Sequence, residues 1–233
     1  MHIAICFWGI CRSTDKTIDS IQKCIYEPLK KAGHTYEIFV HTYTLRRPFN
    51  NPRANEIEVD LDNSLHSLLE ADRTNLEDQD TVDKTLNFDA YTSAGDPWSN
   101  GFITHKNHIR ALYSLKQVTQ LVTKTYDRII YVRPDVRFLT PLNMTWLNCK
   151  ENEIMLPDFH CHPVNDRFAI GHPKAAKIYG LRFNGALKYS QTHRLHAEEF
   201  LSHTLLLHRI LPKNIPMHFC RVRATGQEVP DCT

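Results

Sequence analysis

The 233-residue chain is 42% hydrophobic and 23% charged, the composition of an ordinary cored globular protein. Its 28 Lys and Arg and 26 Asp and Glu are interspersed, so no basic run calls for nucleic acid or an anionic membrane, and no segment has the length to span a bilayer. Seven cysteines, an odd number without C-x-x-C spacing, fit reduced thiols better than a disulfide framework, which with the lack of a leader-like N-terminus leads to an expected cytoplasmic location.

The apolar run Ile3–Phe7 predicts a first strand, Gly9–Thr14 a loop, and Thr17–Ala32 a helix whose stripe is Ile18, Ile21, Ile25 and Leu29, closed by Gly33. Tyr36–Tyr43 predicts the next strand and completes a βαβ unit. From Leu45 to Gly101 the chain is polar and irregular, with only Glu56–Leu61 strand-like and Ser64–Ala71 helix-like. Such a region inside a compact fold is usually a functional excursion or partly mobile. Thr104–Lys124 predicts a helix with Ile109, Leu112, Leu115, Val118 and Val122 on one face, feeding a strand at Ile129–Val132. Strands follow at Glu153–Leu156 and Arg167–Ile170, helices at Pro173–Phe183 and Ala197–Ile210, and a last strand at His218–Val222. The alternation predicts one α/β domain spanning residues 1–233.

The continuous run Ile129–Val132 reads as a strand buried on both faces, and it stops at Arg133-Pro134-Asp135 because proline cannot donate to a ladder. Asp135 therefore stands just past a strand end, where open α/β sheets bind ligands. On position alone it reads equally as a turn aspartate. Walker, G-x-G-x-x-G and G-x-S-x-G signatures are absent, which removes the usual markers of P-loop, dinucleotide and α/β-hydrolase chemistry. His160-Cys161-His162 and His193-x-x-His196 match no zinc spacing.

Gly9 permits close backbone approach after the first strand, and Arg12 and Ser13 offer donors to a phosphate or a base edge. His41 and Tyr43 end the second strand on the same side, where a base could stack on the tyrosine. Asn107 and Arg110 lie near the start of the following long helix. Asp166, in a polar loop ahead of an apolar strand, is the first choice for a general base, with Asp158 and Glu198 as alternatives. Each of these residues also has a plain reading as a solvated, capping or core group.

Four segments, Ala4–Arg12, Asn107–Leu115, Tyr126–Leu142 and Asn165–Gly171, resemble the small GT-A glycosyltransferases of algae and of large viruses that infect algae. The resemblance implies a GT-A-like fold, a mixed, mostly parallel sheet flanked by helices. Residues 1–44 and 102–142 would bind the nucleotide sugar and 143–233 the acceptor, in the host cytoplasm if the protein is viral. It implies a divalent metal, Mn²⁺ or Mg²⁺, on the donor diphosphate. Here arginine stands at the first acidic position of the motif, so Asp135 is left as the metal ligand, with His218 as a second and Arg133 as a phosphate partner. The expected partners are a nucleotide-sugar donor and a glycan or small acceptor, with Trp98 offering a sugar-stacking face. A non-catalytic nucleotide- or carbohydrate-binding module is the alternative, and a metal-dependent phosphohydrolase a third reading.

Overall fold

The computed structural model describes residues 1–229; the remaining four, Cys232 among them, lie outside the described residues. β1 (His2–Trp8) is buried from Ile3 onward and alternates strictly. Ile3, Ile5 and Phe7 enter the core on one face of the sheet, and Ala4, Cys6 and Trp8 the core on the other. A continuous helical rod follows, α1 (Thr14–Ile21), a π-helical turn (Gln22–Tyr26) and α2 (Glu27–Lys31), burying Ile21, Ile25 and Leu29. Gly33, at φ +73°, turns the chain into β2 (Thr35–Thr44), which pairs parallel with β1 from His2↔Thr35 to Trp8↔His41. The predicted βαβ unit is present.

The excursion carries more regular structure than its sequence suggests. β3 (Phe49–Asn51) and β4 (Glu56–Val59) form a hairpin, and a 3₁₀ turn at Leu65–Leu69 stands where a helix over Ser64–Ala71 was expected. β5 (Arg73–Asp78) then pairs parallel with β2 as an edge strand, followed at once by α3 (Gln79–Thr85), which Asp78 caps by accepting from Thr81 N at 2.9 Å. α4 (Ile103–Leu121) buries Ile109, Leu112, Leu115 and Val118, as its periodicity requires. β6 (Arg128–Val132) pairs parallel with the other side of β1 and ends before Pro134.

β7 (Val136–Phe138) leaves the main sheet. β8 (Glu153–Pro157) and β9 (Phe168–Gly171) return to it, and α5 (Pro173–Gly180), α6 (Phe183–Ser190) and α7 (Ala197–Leu207) cover one face. One helix was expected over Pro173–Phe183; it stops at Gly180, and Arg182 turns back to donate to Tyr179 O at 2.8 Å. β10 (Leu211–Ile215), β11 (Phe219–Val222) and β12 (Glu228–Val229) finish the described chain. The seven-stranded sheet runs β10-β8-β9-β6-β1-β2-β5 and a three-stranded one β12-β11-β7. β9 is antiparallel to both neighbours and the other pairs of the large sheet are parallel, so the fold is a mixed, mostly parallel α/β sheet flanked by helices. β9 is reversed because the chain reaches it from β8 without a helical crossover, and a parallel neighbour needs one. The β8–β9 loop is thereby left at the carboxyl end of the sheet.

Gly180 sits where α5 touches α4 and β6. A Cβ there would stand 2.1 Å from Thr119 Oγ1 and 2.2 Å from Tyr131 Oη, two groups already hydrogen-bonded to each other at 3.0 Å. Gly180→Ala should therefore cost about 2 kcal/mol by overpacking and lower the thermal midpoint by roughly 4–8 °C in a calorimetric scan. An unchanged midpoint would show that the contact relaxes freely.

Candidate active site

A cleft of about 790 Å³ opens at the carboxyl ends of β1, β2 and β6, the size of a small-molecule site. A second groove, of about 660 Å³, lies among Tyr26, Lys30, His34 and Tyr36 at the amino end of β2, where the topology positions no switch point. The cleft's floor is the β6–β7 junction. Pro134 releases the chain from the large sheet, Thr17 Oγ1 donates to its carbonyl at 2.6 Å, and Val222 N donates to the carbonyl of Asp135 at 2.8 Å. Asp135 is thus pinned between two sheets and is only 2% exposed.

Its carboxylate is fully engaged. Arg133 grips it bidentately, Nε to Oδ1 at 2.8 Å and Nη2 to Oδ2 at 2.7 Å, and Arg12 Nη2 donates to Oδ2 at 2.6 Å. Burial alone would raise this carboxyl, but Arg133 and Arg12 outweigh it and hold the group far below the ordinary carboxylate range. Arg12 also donates from Nη1 to Glu56 Oε2 at 2.9 Å, and Glu56, fully buried, accepts from Ala224 N at 2.8 Å and Asn51 Nδ2 at 3.3 Å. Phe49 and Trp8 lie under Arg12 and Arg133 at 5.5 Å and 5.6 Å from the ring centroids. Arg53, Arg221 and Arg223 line the same cleft, and burial, then Arg12 and Arg221, bring Arg223 down to about 10.

The expected metal site does not fit these residues. Both oxygens of Asp135 already accept from guanidinium donors, so a divalent ion would reach this carboxylate only by displacing Arg133 or Arg12. His218 does not complete a sphere. It lies opposite Leu139, four residues down β11 from the Val222–Asp135 contact and so about 13 Å away, and its Nε2 meets Asp158 Oδ1 at 3.2 Å. No group of three or more His, Cys, Asp or Glu assembles as a metal cage among the described residues, which also leaves two-metal phosphohydrolase chemistry without a ligand set.

The cleft also carries acidic and aromatic groups. Asp166, from the β8–β9 loop, and Glu198, in the first turn of α7, both line the cleft and are nearly buried. Burial would raise Asp166, but Arg167 and Arg182 prevail and keep it low. Burial and then the charge of Asp166 push Glu198 up to about 7 against Arg167, whose Nη2 reaches Glu198 Oε1 at 3.3 Å. Trp98 stands beside them, with ring centroids 5.4 Å from His196 and 5.8 Å from His108. Its loop is organised by Asp96, whose carboxylate accepts from the backbone N–H of Trp98, Asn100 and Phe102 at 2.7–2.9 Å. Buried polar atoms without a hydrogen-bond partner among the described residues gather here, including Trp8 Nε1, Arg12 Nε, His108 Nε2, Arg167 Nη1 and Arg223 Nε.

Of the residues expected from sequence, Gly9, Arg12, Tyr43, Asn107, Arg110, Arg133, Asp135, Asp166 and Glu198 line the cleft. Arg110 is committed to Asp83 through Nε at 2.8 Å and Nη2 at 2.6 Å, and its Nη1 donates to Asn107 Oδ1 at 2.7 Å. Ser13, His41, Asp158 and His218 do not line it. Ser13 Oγ donates to Val222 O at 2.8 Å, and His41 is buried between Glu77 Oε2 and Ser114 Oγ, both at 2.7 Å. Glu56, Arg53, His108, Arg167 and His196 were missed; Glu56 opens the predicted β4, but nothing in its local pattern signals burial against Arg12.

The chain is therefore an α/β protein with a charged cleft at a strand-end crevice. No protein-family model matches it, and no curated protein does. Among solved structures, apo mouse xyloside xylosyltransferase 1 is similar with a TM-score of 0.43 and 11% identity, over 92% of this chain and 85% of that one. A likeness so distant leaves the functional reading to the cleft itself. No helix among the described residues is long and apolar enough to cross a membrane.

Glu56→Ala should leave the buried Arg12 with Asp135 alone and free the hairpin. Breaking a buried pair costs roughly 3–5 kcal/mol, so the expected result is a lower urea midpoint with new proteolytic cleavage inside residues 45–60. Unaltered stability would mean that Arg12 finds compensation in solvent.

Proposed function

We propose that this chain is a glycosyltransferase of GT-A-like architecture that moves a sugar from a nucleoside-diphosphate donor to a glycan or small acceptor. One observation carries the reading: a cleft at the strand ends holds both a buried arginine group and a carboxyl pair. Sugar transfer needs both. Negative charge develops on the departing diphosphate, and a proton must leave the acceptor hydroxyl.

In this scheme the diphosphate lies against Arg12, Arg133 and Arg223, and Gly9, at φ +95° with its N–H tied to Ser114 Oγ at 2.8 Å, lets the donor approach β1 closely. Tyr43 and Asn107 line the donor side, and Trp98 offers a sugar-stacking face toward residues 143–233. The acceptor oxygen bonds to the anomeric carbon as its proton passes to Glu198. The bond from that carbon to the diphosphate oxygen breaks, and its electron pair leaves with the phosphate. Glu198 suits proton transfer better than Asp166, because a base works best with a pKa near the working pH, and Asp166 is held low by Arg167 and Arg182. Asp166 then acts through its charge, raising its neighbour.

The test has a defined sign. Glu198 must be ionised to accept a proton, so kcat should fall as pH drops below about 7. Asp166→Asn removes the charge that raises Glu198 and should move that limb to lower pH. Glu198→Gln should cut kcat by about 10²–10⁴ with donor affinity nearly unchanged. A wild-type protein that binds nucleotide sugars without transferring or hydrolysing them would instead be the binding module, and an unmoved limb in Asp166→Asn would place the base elsewhere.

A further inference from the structure

The strongest unexplained feature of the cleft is the carboxylate that ought to hold a metal and instead holds two arginines. We propose that this chain binds the diphosphate of its donor without a divalent metal, through a guanidinium clamp of Arg12, Arg133 and Arg223 that Asp135 and Glu56 aim. The proposal rests on the transferase reading for the donor's identity, but the clamp itself is a site for any pyrophosphate group.

Three observations support it. Both oxygens of Asp135 are occupied, by Arg133 at 2.7 and 2.8 Å and by Arg12 at 2.6 Å, so the carboxylate orients cations and is not open to one. Arg12 spans two buried carboxylates yet keeps Nε without a partner among the described residues, as does Arg223, and both side chains are at least nine-tenths buried. A guanidinium carries five N–H donors in a fixed fork, so one edge can be tied to a carboxylate while others meet phosphate oxygens. Finally, Arg12, Arg133 and Arg223 line one cleft together with Arg53 and Arg221, so five guanidiniums border the volume a diphosphate would enter.

The measurement is isothermal calorimetry of inorganic pyrophosphate and of a nucleoside diphosphate, each in EDTA and in Mn²⁺. The clamp predicts equal affinities within about threefold in the two buffers, and losses of at least about tenfold in Arg133→Gln and Arg223→Gln, which remove charge-assisted phosphate contacts. Since removing a buried charge can perturb the fold, Asp135→Asn is the complement, with thermal melts on all three. A metal ligand's removal would abolish binding in Mn²⁺, whereas an aiming residue's removal should leave metal-free pyrophosphate binding within about tenfold. Binding only in Mn²⁺, or none in either buffer, overturns the clamp. Pyrophosphate binding in EDTA without any sugar transfer keeps the clamp and sinks the transferase reading. Transfer that requires Mn²⁺ does the reverse.

Discussion

Arg12 is the fixed point of the molecule. It stands in the loop after β1, and its guanidinium reaches Glu56 of the excursion hairpin and Asp135 of the β6–β7 junction, 44 and 123 residues away along the chain. Glu56 in turn holds Ala224 N in the β11–β12 turn. The hairpin is therefore tied through one buried cation to the β7–β11 pair, with which it shares no strand pairing. Desolvating a guanidinium and two carboxylates costs several kcal/mol per ion, and apolar side chains of similar volume would hold such a junction equally well. A cluster this expensive reads as machinery placed at the strand-end crevice, not as structural glue.

The carboxyls of the cleft are shifted in opposite directions. At Asp135 cations outweigh burial and keep it ionised; at Glu198 burial and a neighbouring anion raise the group to about 7, while Arg167 and Arg182 keep Asp166 charged. Carboxyls driven apart by their surroundings mark acid and base assignments more specifically than a motif does. The separation also explains why Asp166, the first choice by loop position, is the weaker base: the arginines that stabilise its charge remove its reason to take a proton.

Sequence periodicity revealed β1, β2, β6, α4 and α7, because each buries a long apolar face, and the strand-Pro-Asp junction placed Asp135 at the crevice. It failed where burial depends on distant partners. Glu56 looks like a strand-start glutamate until Arg12 is known to reach it. Ser13 and His41 looked like donor ligands because they are polar at strand ends, but Val222 and the Glu77–Ser114 pair consume them. Asp158 and His218 satisfy each other outside the cleft. β5 and β10 escaped notice as edge strands, exposed at Leu76 and Leu211 and without clear alternation. Arginine in place of the first acidic residue was legible from the start; that it clasps Asp135 required the fold.

The excursion between Leu45 and Gly101 is where the fold and the chemistry meet. Its hairpin gives Glu56 to the arginine wall, β5 extends the large sheet, and Asp96 arranges three backbone N–H groups so that Trp98 faces His108 and His196 across the carboxyl end of the cleft. One polar segment thus contributes to the cleft twice, and a substrate spanning the cleft would meet the excursion both at its hairpin and at Trp98.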